Sequence, residues 1–151
     1  MDRANLTTAS PSVPRVGVGI MVVDQNGERV LLSLRRRAPE AGSWSILGGR
    51  VEPFETLESC AVREAREEAA IEVAIERLLC VTDHIVPAES DHWVSPAYLG
   101  RIVAGVPQNA EPEKTLAVAW FPLGALPPNL TMTARRAIDA YLGSDDGQHC
   151  D

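Results

Sequence analysis

The order of elements predicted along this chain is paired strands, a helix, further strands and a second helix, which is that of an α+β domain whose helices cover a mixed β-sheet. Three observations predict it. β-rich runs flank an Asn-Gly turn near the start, helix formers without Gly or Pro follow Thr56, and a second amphipathic run ends at Gly143. With 151 residues, 45% of them hydrophobic, the chain is long enough for one domain with a real core and short for two. The expected division is a flexible N-terminal segment 1–14, a single domain 15–143 and a flexible tail 144–151.

Taken in order, Val16 to Val23 and Arg29 to Leu34 form a hairpin across Asp24-Gln25-Asn26-Gly27, because Asn and Gly tolerate positive φ. A polar loop carrying Arg35, Arg36, Arg37, Pro39 and Gly42 leads to a short strand, Trp44 to Leu47, which runs into the pair Gly48-Gly49. Thr56 to Ala70 reads as a helix capped by Thr56, with Leu57, Ala61, Val62, Ala65 and Ala69 forming one apolar stripe. Strands are expected at Glu72 to Thr82, Trp93 to Val103 and Thr115 to Phe121, with His84 and His92 at the ends of a loop. The second helix spans Thr131 to Leu142, where Ala134, Ile138 and Leu142 share a face.

Composition restricts the function. No stretch reaches the 18 or so apolar residues that span a bilayer, and Met1 to Pro14 lacks the basic-then-apolar order of a signal peptide, so a soluble, cytoplasmic protein without a membrane partner is expected. A net charge of -7 repels a nucleic-acid backbone, which argues against a polymer partner while admitting a small phosphate ligand delivered with divalent metal. Cys60, Cys80 and Cys150 are too few and too widely spaced for a disulfide framework or a cysteine zinc site, and read as reduced thiols.

The chemistry concentrates on the first helix. Glu64, Glu67 and Glu68 stand at i, i+3 and i+4, so three carboxylates share nearly one face, and like charges at that spacing destabilise a helix by roughly 0.2 to 0.5 kcal/mol per pair. A compensating cation is therefore expected. Arg63 and Arg66 belong on a different side of the helix and cannot neutralise all three. Hard divalent ions take oxygen ligands, and Mg2+ in particular sits between carboxylates and phosphates. A merely solvated acidic face is the competing reading of the acids taken alone.

The surrounding residues decide between them. Gly49, then Glu55, then Arg63-Glu64-Ala65-Arg66-Glu67-Glu68-Ala69-Ala70-Ile71, with five and seven residues intervening, resembles the Nudix box of the Nudix hydrolases, the family that includes the MutT-type nucleotide pyrophosphohydrolases. Every charged position of the box is present. The similarity extends from about Val16 to Leu142, through Leu31 to Arg36, Gly42-Ser43-Trp44 and Trp120-Phe121-Pro122-Leu123. It implies a Nudix fold, an α/β/α sandwich with a mixed sheet.

The same resemblance implies that Glu64, Glu67 and Glu68 are metal-binding glutamates, that Gly48 adds a backbone carbonyl, and that Glu55 and Arg63 brace the ends of the motif. A further metal-binding acid is expected from Glu111-Pro112-Glu113-Lys114, Glu113 before Glu111. Two positions depart from the pattern. Ala70 stands where the family has glycine, and a left-handed helix end there costs Ala on the order of 1 kcal/mol, which leaves the form of that end open. Leu47 stands where the family often has proline before the glycine pair.

Among possible substrate-binding residues, Trp44 and Trp120 read as core, whereas Trp93 is a candidate to stack on a base. Arg35 and Glu111 are further candidates, and Arg36 and Arg37 could reach phosphates, although a charge run in a loop is usually only solvated. His84 and His92 read as structural.

The expected activity is metal-dependent hydrolysis of a phosphoanhydride in a nucleoside diphosphate linked to another moiety, with Mg2+ as cofactor and Mn2+ as substitute. Glu67, Glu68 or Glu113 would orient or deprotonate the water. Asp91-His92-Trp93, Asn109, Glu111-Pro112-Glu113-Lys114 and Trp120-Phe121 further resemble the MutT-like subgroup, which implies a (deoxy)nucleoside triphosphate converted to monophosphate and pyrophosphate. ADP-ribose, dinucleotides and nucleotide sugars are the alternatives, and a non-catalytic Nudix-like nucleotide-binding module is the alternative from another class. Homodimers are implied by the resemblance alone.

Overall fold

A computed structural model describes residues 13 to 143. The segments expected to flank the domain lie outside the described residues except for Val13 and Pro14, as does Cys150. The elements in chain order are β1 (Arg15–Val23), β2 (Arg29–Arg35), β3 (Trp44–Ser45), β4 (Leu47–Arg50), α1 (Leu57–Ala69), β5 (Glu72–Val86), β6 (Asp91–Ala104), β7 (Thr115–Pro122) and α2 (Met132–Leu142).

Strands run β3-β2-β1-β6-β5, with β4 paired to β1 and β7 to β2; β1 and β6 are parallel and the other pairs antiparallel, so the sheet is mixed. β1 is buried on both faces. Val18, Ile20 and Val22 pack with Ala61, Ala65 and Ala69 of α1, while Met21 and Val23 pack with Ala134, Ala137 and Ile138 of α2. The two helices therefore cover opposite faces, giving the expected α/β/α sandwich.

The first turn is held by one carboxylate. Asp24 Oδ1 accepts from the backbone N–H groups of Glu28 and Arg29 at 2.9 and 3.1 Å, its Oδ2 accepts from Arg29 Nε at 2.9 Å, and Gly27 takes the positive φ of 69°. Past this turn the strands splay. β1 meets β2 at Val23↔Val30, and β4 then takes over the β1 edge from Gly17 to Ile20.

α1 begins as expected, the Thr56 side chain accepting from Ser59 N–H, and ends with Ala70 in the left-handed region at φ 56°, ψ 37°. The helix thus closes in the conformation that favours glycine although the residue is alanine. Its last carbonyls are capped from a distant loop, Gln108 N–H donating to Ala69 O and Ala110 N–H to Glu68 O, each at 3.1 Å.

Three expectations need correction. The strand foreseen at Trp44 to Leu47 breaks at Ile46, because the chain changes partner from β2 to β1, and resumes through the glycine pair to Arg50. The foreseen loop from His84 to His92 is instead strand: β5 and β6 continue as a hairpin, with His84 opposite Trp93, and turn only through the short 3₁₀ segment Pro87–Glu89. The buried face of α1 also includes Cys60 and Glu64, beyond the apolar stripe.

Candidate active site

A cavity of about 620 Å³ opens where β1 and β2 splay, lined from the sheet by Gly17, Gly19, Ser33 and Ser45, and from α1 by Arg63, Glu64, Glu67 and Glu68. The glycine pair sets the approach of strand to helix. A Cβ at Gly48 would lie 2.2 Å from Val18 O, and one at Gly49 would lie 2.3 Å from Glu64 Oε1. Only glycine lets β4 and the Glu64 carboxylate occupy this space together.

Glu64 is buried, and burial raises its carboxyl above the ordinary range. Glu68 is raised further, first by burial and then by the Glu64 charge, with Glu111 adding repulsion and the Gly48 N–H, 3.4 Å from Glu68 Oε2, opposing the shift. Two adjoining carboxylates withdrawn from water, with only Glu64 of the two paired to a guanidinium, are the donor set that a hard divalent cation satisfies. Glu67 differs. Its side chain is half exposed and turned to Arg63, and among the described residues no three His, Cys, Asp or Glu side chains already form a ligand group.

Arg63 is the hub. Its Nε and Nη2 hold Glu55 at 2.6 and 2.9 Å, Nη1 reaches Glu64 Oε1 at 2.9 Å and Glu67 Oε2 at 3.1 Å, and Nη2 also donates to Arg50 O at 3.2 Å. One guanidinium thereby ties the loop before α1, the end of β4 and the helix together. Helical spacing puts Arg63 on a different side of the helix from the acids, yet it reaches two of the three, because a long side chain bends where a helical projection places only its Cβ. Its hydrogen bond holds the Glu55 carboxyl down at about 2. Arg66 turns away to Glu72. Beneath the brace, burial and the neighbouring Glu55 push the Cys60 thiol up to about 12.

The loop ahead of β7 is positioned by Asn109, whose Oδ1 accepts from Glu111 N–H at 3.2 Å and whose Nδ2 donates to Thr115 O at 2.8 Å. Glu111 lines the cavity beside Glu68 and pairs with Lys114 Nζ at 3.2 Å; Glu113, placed first from sequence, is exposed and does not line it. The caps from residues 108 and 110 onto the helix end turn the chain so that Glu111 faces Glu68.

Of the substrate-binding candidates, Arg35, Trp93 and Glu111 all line the cavity, whereas Arg36 points to Pro112 O. Trp44 packs edge-on against Phe121 with ring centroids 4.7 Å apart, and Trp120 packs on the α1 core, both as expected of core residues. Arg37, which the sequence allows either to reach phosphates or to be merely solvated, lines the cavity, as do Lys114, Ser95, Thr131 and Thr133, which sequence reasoning missed, and His84, which it read as structural. No local pattern marks them, since they come from separate strands, loops and a helix start that only the tertiary fold brings to one cavity.

Fold and site together define a class of small α+β domains that present helix carboxylates to a cavity beside a glycine-paired strand. The chain belongs to the Nudix family: the NUDIX domain model matches residues 13–141. It is similar to the NAD-capped RNA hydrolase NudC of Pseudomonas aeruginosa, 36% identical over 145 residues that cover 89% of this chain and 47% of that protein. It thus spans about half the length of the curated relatives it matches. Among solved structures it resembles a MutT NUDIX hydrolase from Burkholderia pseudomallei, 44% identical with a TM-score of 0.78, over 85% of this chain and 98% of that one. A NUDIX hydrolase from Nitrosomonas europaea is 27% identical with a TM-score of 0.73, over 91% of this chain and 75% of that one.

Proposed function

We propose that the chain hydrolyses a phosphoanhydride bond in a nucleotide, first a (deoxy)nucleoside triphosphate to give monophosphate and pyrophosphate, in the cytoplasm. The observation that carries the reading is the Glu64–Glu68 pair, two carboxylates kept adjacent and largely out of water at the edge of a cavity large enough for a nucleotide. Glu64 and Glu68 would hold a divalent ion, Mg2+ or Mn2+, with the Gly48 carbonyl and Glu111 beside them. Bound there, such an ion supplies charge for the phosphate oxygens and lowers the pKa of water.

Arg63 keeps Glu64 oriented, and with Glu55 it fixes the loop against the helix. Glu67, half exposed and held by a hydrogen bond of 3.1 Å from Arg63, can rotate toward a water and take its proton. Arg35, Arg37 and Lys114 bring positive charge to phosphates in the same cavity.

A second reading rests on the relatives named as NAD-capped RNA hydrolases: the bond cut would be the diphosphate of a dinucleotide, free or at an RNA end. Those names weigh against the exclusion of a polymer that the net charge suggested. Turnover of a panel of triphosphates, NAD, ADP-ribose and NAD-capped RNA, each with Mg2+ and with a chelator, tests both readings. Pyrophosphate from a triphosphate supports the first, nicotinamide mononucleotide from NAD or capped RNA supports the second, and Mg2+-independent or absent turnover of all would overturn the proposal.

A further inference from the structure

The tip of the β5–β6 hairpin bears a side-chain group that phosphoanhydride chemistry does not require. Trp93 Nε1–H donates to Asp91 Oδ1 at 2.7 Å, and His84 Nε2 lies 3.8 Å from Asp91 Oδ2. Asp91 thus stands between the two, and neither its side chain nor that of His84 is more than 17% exposed. Trp93 and His84 are direct partners across the hairpin, and both line the cavity that Glu64 and Glu68 also line.

The indole is fixed from three directions. Asp91 holds its N–H, and Gly17 leaves room for the ring, since a Cβ there would already touch Trp93 at 3.4 Å. The Arg15 guanidinium lies 5.4 Å from the ring centroid, so a ring face already receives a planar group, and it comes from an exposed residue that can give way. A carboxylate committed to orienting one indole is an expensive way to fill a wall and an effective way to build a stacking platform.

We propose that Trp93, positioned by Asp91, forms the nucleobase-binding wall of this cavity. The inference rests on the nucleotide reading above. Asp91 is a positioning residue; it acts through Trp93, and His84 closes its other side. Base–aromatic stacking accepts any base, so this wall would confer a requirement for a base and leave the choice among bases to other contacts.

The test is calorimetric binding in Mg2+ of an α,β-imido nucleoside triphosphate and of inorganic tripolyphosphate to the wild-type chain and to Trp93→Leu, Asp91→Ala and Asp91→Asn. Wild type should bind the imido nucleotide at least tenfold tighter than tripolyphosphate. Trp93→Leu and Asp91→Ala should reduce that preference roughly tenfold, while Asp91→Asn, whose amide oxygen still accepts from the indole, should restore most of it. A variant that misfolds would lose both ligands together, and the Asn variant then decides. Equal wild-type affinity for the two ligands, or an unchanged preference in Trp93→Leu, would overturn the inference. Neither result would touch the hydrolase reading, which fails only if no phosphoanhydride is cut in a Mg2+-dependent way.

Discussion

The Gly49 Cα and the Glu64 carboxylate are so close that a single added carbon on the glycine would lie 2.3 Å from Glu64 Oε1. The contact joins the strand to the acid helix at the cavity and separates two neighbouring glycines by what they touch. Gly49→Ala meets the end of a side chain, which can swing aside, so melting should change by a few degrees at most while activity falls more than tenfold. Gly48→Ala meets the Val18 carbonyl, which cannot, and should destabilise by about 1–3 kcal/mol. Thermal melting and turnover on the same samples check both; retained activity in Gly49→Ala would show that Glu64 need not hold its position.

Arg63 and Glu55 predict an acid response. Asp24 and Glu55 are each held down at about 2 by a guanidinium, against about 4 for an unfolded carboxylate. Their stabilisation is present above the unfolded value and disappears as the pH falls through about 2. Glu55→Gln should therefore be less stable than wild type at pH 7, and the gap should close by pH 2. A gap that stays constant across this range, read by urea melts, would contradict the brace.

Glu64 and Glu68 predict the opposite dependence. Their carboxyls are raised, so without metal the folded state gains relative stability as pH falls and they take up protons. A divalent ion needs them ionised. Added Mg2+ should consequently raise the melting temperature more at pH 8 than at pH 5, and Glu68→Gln should abolish most of the difference.

Ala70 occupies the left-handed helix end at φ 56°, so Ala70→Gly should stabilise by about 1 kcal/mol, or about 2–4 °C. A lower melting temperature would mean that the Ala70 methyl contributes more packing than its backbone costs.

Much of this fold could be read before the structure. The Thr56 cap, the 3.6-residue stripe and the Asn-Gly turn act within a few residues, so α1 and the first hairpin were legible, as was the placing of Glu64 beside Glu68, whereas Glu67 turns to Arg63. What was not legible depends on partners far along the chain. The polar residues from Asp83 to His92 suggested a loop because the alternation of a hairpin with one exposed face looks like loop polarity, and only the β5–β6 register shows it as strand. Glu113 ranked ahead of Glu111 because position in sequence says nothing of the two caps on the end of α1 that turn Glu111 inward. Arg63 was misplaced because its guanidinium lies several bonds beyond the Cβ that helical periodicity locates.

The central claim is that the paired acids of α1 hold a divalent ion for phosphoanhydride hydrolysis, and Glu68→Gln tests it most directly because it removes one charge at nearly constant size. Mg2+-dependent release of pyrophosphate from the best triphosphate in the panel, or of mononucleotides from the best dinucleotide, should be measured for wild type and variant beside their melting curves. The account predicts a folded variant with activity reduced at least a hundredfold and no response to Mg2+. Wild-type turnover and unchanged Mg2+ dependence in a folded Glu68→Gln protein would contradict it.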